Sequence, residues 1–136
     1  MRIILDTTIL VAAARSRSGA SHKIVSLLPD SRFAPVLSVP LFLEYRAVLL
    51  RPENLLQRSV APADGFLNFL LARSHTQEIF FLWRPILPDP NDDLLLELAV
   101  AASCRYIVTH NLRDFRGSER WGVAAVSPSI FLGLIQ

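Results

Sequence analysis

Asp6 stands directly after the short apolar run Arg2-Ile-Ile-Leu5 and directly before a second apolar run, where an ionised side chain is costly unless something binds it. Three further places in the chain carry polar or acidic groups in comparable positions. Glu44 falls about one turn into the helix expected after the second strand, Asp92 and Asp93 open the helix before the fourth strand, and Asn111 with Asp114 follows that strand at once. In open parallel sheets the ligand crevice lies beyond the carboxyl ends of the strands, so residues at those ends are the ones to watch. Carboxylates that converge there repel one another and would have to bind protons unless a cation joins them. A hard divalent ion, Mg2+ or Mn2+, is the cation that oxygen donors favour. Such an ion, or a pair roughly 4 Å apart, activates water and shields the charge that builds on a phosphodiester. Zinc is a poor match, because His22, His75 and His110 have no metal-ligand spacing and Cys104 is a lone cysteine.

Each acid also has a plainer reading. Asp92 alone reads as a helix N-cap. Asp93 and Glu97 are four apart on one helix face, and Glu97 reads equally as a solvated charge or a partner for Arg105. Glu44 has Arg46 and Arg51 within reach as surface partners. It is the shared strand-end placement that singles these residues out.

The elements that must position them follow from the apolar pattern. Arg2–Leu5 reads as a buried strand, followed by a helix from Thr7 to Ala14 that has Asp6 or Thr7 near its cap and breaks at Arg15-Ser-Arg-Ser-Gly19. Residues 20–28 have helical spacing, Phe33–Leu37 reads as a second strand, and Ser38 caps a helix running to Leu50 with Pro40 in its first turn. The pattern from Arg51 to Ser74 is helical, Thr76–Trp83 reads as a third strand, and a loop rich in Pro and Asp leads to Asn91. Asn91 or Asp92 then caps a helix to about Ser103. Tyr106–Thr109 is a fourth strand, Asn111–Phe115 a short turn or helix, Gly122–Val126 a fifth strand and Pro128–Leu134 a closing helix. Strands separated by helices predict an α/β fold, a three-layer α/β/α sandwich with a mostly parallel central sheet, in a single domain spanning residues 1–136.

Composition sets the outer limits. The chain has 136 residues, of which 51% are apolar and 19% charged, with a mean hydropathy of +0.37, enough for a buried core and too apolar for disorder. Fourteen basic against twelve acidic residues leave a charge of +2, and all the basic residues but Lys23 are Arg, which is compatible with phosphate recognition. The apolar runs fall short of the roughly 18 to 20 residues that span a bilayer, and Asp6 interrupts any secretory signal, so no membrane association and a cytoplasmic location are expected. Both tryptophans, Trp83 and Trp121, are expected in packed surroundings, and Cys104 as a small buried residue.

Taken in order, these segments resemble the PIN domain family. Leu5-Asp6-Thr7-Thr8-Ile9-Leu10 is similar to the family's opening motif, and Ser38-Val-Pro-Leu-Phe-Leu-Glu-Tyr45 to the segment carrying its second acid. Leu87-Pro-Asp-Pro-Asn-Asp-Asp-Leu-Leu-Leu-Glu97 resembles the block with the third acid, and Tyr106-Ile-Val-Thr-His-Asn-Leu-Arg-Asp-Phe115 the block with the fourth position. The match covers nearly the whole chain and is strongest to the VapC-like toxin components of toxin–antitoxin loci.

The resemblance implies a Mg2+- or Mn2+-dependent endoribonuclease that cuts RNA, held by a cognate antitoxin and commonly a homodimer. Carried over by position, Asp6, Glu44 and Asp93 are the catalytic and metal-holding acids, with Glu44 positioning or deprotonating the attacking water. Asp93 is taken over Asp92 from its distance of sixteen residues to Thr109, leaving Asp92 as a supporting or capping residue. Thr8, Asn111 and Asp114 orient the ligands. Asn111 stands where many members have Asp, and Thr8 where Asn or Ser is usual. Arg15, Arg17, Lys23 and His22 are expected to guide the RNA backbone by phosphate contacts. A phosphotransferase of the haloacid-dehalogenase kind also sets Asp after its first strand, but needs an acid at the position of Thr8 and a late Lys, both missing here. The stronger alternative is a PIN-fold RNA-binding or partner-binding module that does not cut.

Overall fold

In a computed structural model, residues 1–55, 59–79, 87 and 90–136 are described. Five parallel strands form one sheet: β1 (Arg2–Leu5), β2 (Ala34–Leu37), β3 (His75–Thr76), β4 (Tyr106–Val108) and β5 (Ala124–Val126), in the order β3-β2-β1-β4-β5. β1 is central, paired on one side with β2 and on the other with β4 through Ile3–Tyr106 and Leu5–Val108. Its side chains Ile3, Ile4 and Leu5 are fully buried, which explains an uninterrupted apolar run in place of an alternating one. Each such side chain contributes about 1.5–3 kcal/mol by leaving water.

Among the described residues seven α-helices accompany the strands: α1 (Thr7–Arg15), α2 (Ala20–Ser26), α3 (Val39–Leu49), α4 (Pro52–Leu55), α5 (Ala61–Ala72), α6 (Pro90–Ala101) and α7 (Pro128–Leu134). The chain steps from β1 outward to β3, then returns across the centre through α6 to β4. Right-handed crossovers require that reversal to carry α6 to the opposite face from α1 to α5. α6 packs over β1, β4 and β2, and its Leu95, Leu96, Leu98 and Ala99 are all buried. The expected α/β sandwich with a parallel sheet is the fold observed.

Local signals explain where most helices begin. The Ser38 hydroxyl accepts the Leu41 N–H at 3.2 Å, and Pro40 sits in the first turn of α3. Ser127 caps α7 through the Ile130 N–H at 3.3 Å. α6 departs from expectation: it starts at Pro90, so neither Asn91 nor Asp92 is its cap, because proline's fixed φ suits the first helical position. Among the described residues, His75 and Thr76 pair with β2, with Gln77 N–H reaching the Leu37 carbonyl at 2.8 Å. Residues 80–83 of that expected strand, and most of the following loop, lie outside the described residues. The helical stretch from 51 to 74 is divided into α4 and α5. A 3-10 turn at Ser118–Trp121 ends at Gly122, whose φ of +78° favours glycine, and leaves Trp121 46% exposed, open to the interface burial that is the alternative to core packing. Cys104 is buried, as anticipated. No described helix is long and apolar enough to cross a membrane.

Candidate active site

The strand order reverses between β1 and β4, and the residues that leave those two strands lie side by side. Asp6 N–H donates to the Val108 carbonyl at 2.9 Å, so Asp6 and Thr109 continue the pairing one step past the sheet. Asp6 occupies the N-cap position of α1, yet its carboxylate makes no capping bond there. Its Oδ2 accepts two hydroxyls instead, Thr8 Oγ1 at 3.0 Å and Thr109 Oγ1 at 2.7 Å. Asp6 is 7% exposed and Thr109 fully buried. Two donors to one charged oxygen offset the desolvation of the carboxylate and fix its direction.

Thr109 reaches further. Its Oγ1 also accepts the Asn111 N–H at 2.9 Å, linking the acid after β1 to the polar turn after β4. Nothing in the chain's local pattern flagged Thr109 as a functional residue beyond its use as a spacing marker. The only available signal was its position at a strand end.

The second acid arrives from α3. The Oε2 of Glu44 accepts Thr7 Oγ1 at 3.3 Å, a contact between α3 and the first turn of α1. The next residue, Tyr45, is buried and donates its hydroxyl to the Leu5 carbonyl, tying α3 to the end of β1. Burial, reinforced by the negative charges of Asp6 and Glu44, holds the Tyr45 phenol well above its ordinary pKa. It therefore stays a donor at neutral pH. Arg46, offered above as a partner for Glu44, pairs with Asp64 at 3.0 Å instead.

A crevice of about 670 Å³ gathers Asp6, Thr8, Glu44, Asp92, Asn111 and Asp114, with Arg15 and Arg51 on its wall. Asp93 is placed differently. It is 7% exposed, and its Oδ1 accepts the Leu87 N–H at 2.9 Å, which holds the chain leading into α6. Successive helical residues point about 100° apart, so neighbouring acids meet different surroundings. Asp92 is among the residues that line the crevice and Asp93 is not, whereas spacing to Thr109 points to Asp93. Glu97 is buried rather than solvated.

The basic residues separate in the same way. Arg15 borders the crevice, its Nη2 donating to Asn54 Oδ1 at 2.8 Å and to the Glu53 carbonyl at 3.2 Å. Arg17 and His22 line a different, mostly apolar cavity of about 440 Å³ with Leu49, Phe66 and Phe69, whose wall has no carboxylate among the described residues. Lys23 is exposed on α2 and borders neither.

Among the described residues, no three acidic, His or Cys side chains stand close enough together to hold one ion. The crevice does offer the donor type a hard ion takes, carboxylate oxygens with the Asn111 amide oxygen, and no sulfur or imidazole. The backbone brings these groups to one opening, where one or two carboxylates with water would suffice for such an ion.

A parallel sheet with its acids collected at the strand-order reversal defines an α/β protein with an acidic crevice. The chain belongs to the PIN domain family, whose model matches residues 2–113. Among solved structures it is similar to a chain in the structure of VapBC-1 from nontypeable Haemophilus influenzae. The TM-score is 0.63 at 17% identity, over 95% of this chain and 99% of that one, a likeness of fold. No curated protein sequence matches the chain.

Proposed function

We propose that this protein is a metal-dependent endoribonuclease, the toxin of a toxin–antitoxin pair, acting on RNA phosphodiesters with Mg2+ or Mn2+. The observation that carries the reading is the meeting of Asp6, Glu44, Asp92 and Asp114 in one open crevice at the reversal of a PIN-family sheet. Asp6 and Asp92 hold the ion, with Asp92 taking the part that spacing alone assigns to Asp93. A bound divalent ion supplies acidification of water and neutralisation of charge on the phosphate. Glu44, tethered weakly by Thr7, takes the proton of the attacking water. Thr8 and Thr109 keep the Asp6 carboxylate aimed, and Asn111 and Asp114 orient the ligands from the far wall. The resemblance to a chain of a VapBC structure supports an antitoxin as partner, and the homodimer and cytoplasmic location expected from the family complete the proposal.

The test is cleavage of an RNA of mixed structure with added Mn2+ by the native chain and by Asp6→Asn. Loss of at least about 100-fold is expected. Cleavage undiminished in Asp6→Asn removes the site.

One observation favours a second reading. Among the described residues no three of the acids stand close enough to share one ion, which also suits a PIN-fold module that binds RNA or a protein without cutting. A rise in thermal stability with Mn2+ distinguishes the nuclease from that module.

A further inference from the structure

We propose that the turn from His110 to Arg116 is a phosphate-binding subsite for single-stranded RNA, lying on the side of the acidic crevice away from Arg15 and Arg51. The proposal rests on the nuclease reading. It adds a track along which the strand is held.

The turn encloses a polar basin of about 740 Å³ lined by His110, Asn111, Leu112, Arg113, Asp114 and Arg116. That volume is within the roughly 300–1,000 Å³ of ordinary ligand pockets. Asn111 and Asp114 line both this basin and the acidic crevice, so the two share a wall. A strand engaged at the acids would run on past that wall toward the basin.

Arg113 and Arg116 are exposed, and among the described residues neither makes a hydrogen bond or ion pair. Arg15, Arg32 and Arg46, by contrast, are each engaged within the protein. A guanidinium offers a planar, permanently charged fork that matches phosphate oxygens. Leu112, 48% exposed, gives the same basin an apolar surface for a base or ribose.

The backbone beneath these side chains is firmly held. Phe115 is buried, Asp114 N–H donates to the Asn111 carbonyl at 3.0 Å, and Asn111 N–H donates to Thr109 Oγ1. His110 Nε2 meets the buried Ser21 hydroxyl at 2.9 Å, fastening the start of the turn to α2. The two Arg residues therefore project from a preorganised support, which lowers the ordering cost of binding. Cations on both flanks of an acidic centre suit a continuous polyanion whose middle phosphate shares the acids' ion.

The experiment measures binding of a fluorescent single-stranded RNA in Mg2+ across a salt series, using Asp6→Asn as the non-cleaving parent. In that background, Arg113→Ala with Arg116→Ala should lower the slope of log affinity against log salt by about 1.4, from about 0.7 for each phosphate released. Arg120→Ala, on the exposed turn that leads into β5, should leave the slope unchanged. Thermal melts of every variant report its folding. If the parent binds RNA and the slope is the same without Arg113 and Arg116, the subsite is overturned while the nuclease reading stands. If the parent does not bind and the native chain does not cut, both fail together. If poly-glutamate competes as well as RNA does, and loses its hold in the same Arg variant, the basin recognises an acidic protein and the RNA assignment is overturned.

Discussion

The hydroxyl of Thr109 donates a 2.7 Å hydrogen bond to Oδ2 of Asp6, joining residues 103 positions apart at the ends of neighbouring strands. The same oxygen of Thr109 accepts the Asn111 N–H. One buried hydroxyl thus aims the first acid and anchors the turn that carries Asn111 and Asp114. Thr109→Val, which keeps the shape and removes the hydroxyl, is expected to cost about 1–3 kcal/mol of stability in urea unfolding. Thr109→Ser should recover most of it. Equal stability of the Val and native proteins would mean the bond does not form.

Asp92 and Asp93 should separate cleanly by substitution. Asp92→Asn is expected to abolish Mn2+-dependent cleavage, because its carboxylate lines the crevice. Asp93→Asn is expected to lose about 1–3 kcal/mol of stability, because it removes the buried charged acceptor of the Leu87 N–H. The reverse outcome would restore the assignment made from spacing.

Mn2+ should raise the melting temperature. At tenfold above its dissociation constant, mass action adds about 1.4 kcal/mol, or roughly 3–6 °C for a chain of this size. Asp6→Asn and Asp92→Asn should each erase the shift, measured by calorimetry. An equal shift in all three chains would place the ion elsewhere.

Tyr45 offers a pH signature. Its phenol pKa is raised in the folded chain by burial and by Asp6 and Glu44, so the native state keeps a proton that the unfolded chain releases above about pH 10. The stability it confers is fully present below that pH and is lost as pH rises toward the folded value. The native protein should therefore lose up to about 1.4 kcal/mol more per pH unit above pH 10 than Tyr45→Phe does. At neutral pH, Tyr45→Phe should cost about 1 kcal/mol through the loss of its bond to the Leu5 carbonyl. Parallel stability profiles above pH 10 would contradict this.

Cys104 should be chemically quiet. Burial pushes its thiol up to about 12, only partly countered by the charge of Arg2. Alkylation at pH 8 should run on the order of 1,000-fold slower in the native chain than after unfolding, since only the thiolate reacts. Matching rates would show that the thiol is accessible.

Much of the architecture was legible in the residues themselves. The β1 strand, the Ser38 cap with Pro40, and the closing helix from Pro128 all follow from local rules, and the structure repeats them with small shifts of boundary. The run that begins at Ile79 predicts a third strand over Thr76–Trp83; among the described residues, pairing with β2 runs through His75 and Thr76. Apolar content indicates burial without saying what a segment is buried against.

The sequence by itself determined that polar and acidic groups end the strands at Asp6, Thr109, Asn111 and Asp114, because strand limits and turns are set by local preference. Only the tertiary structure decided which neighbouring acid enters the crevice, which Arg residues border it and that Thr109 grips Asp6. Those outcomes depend on how rigid helices are rotated and laid against the sheet. A one-residue step turns a helical side chain by about 100°, so spacing along the chain cannot settle its direction.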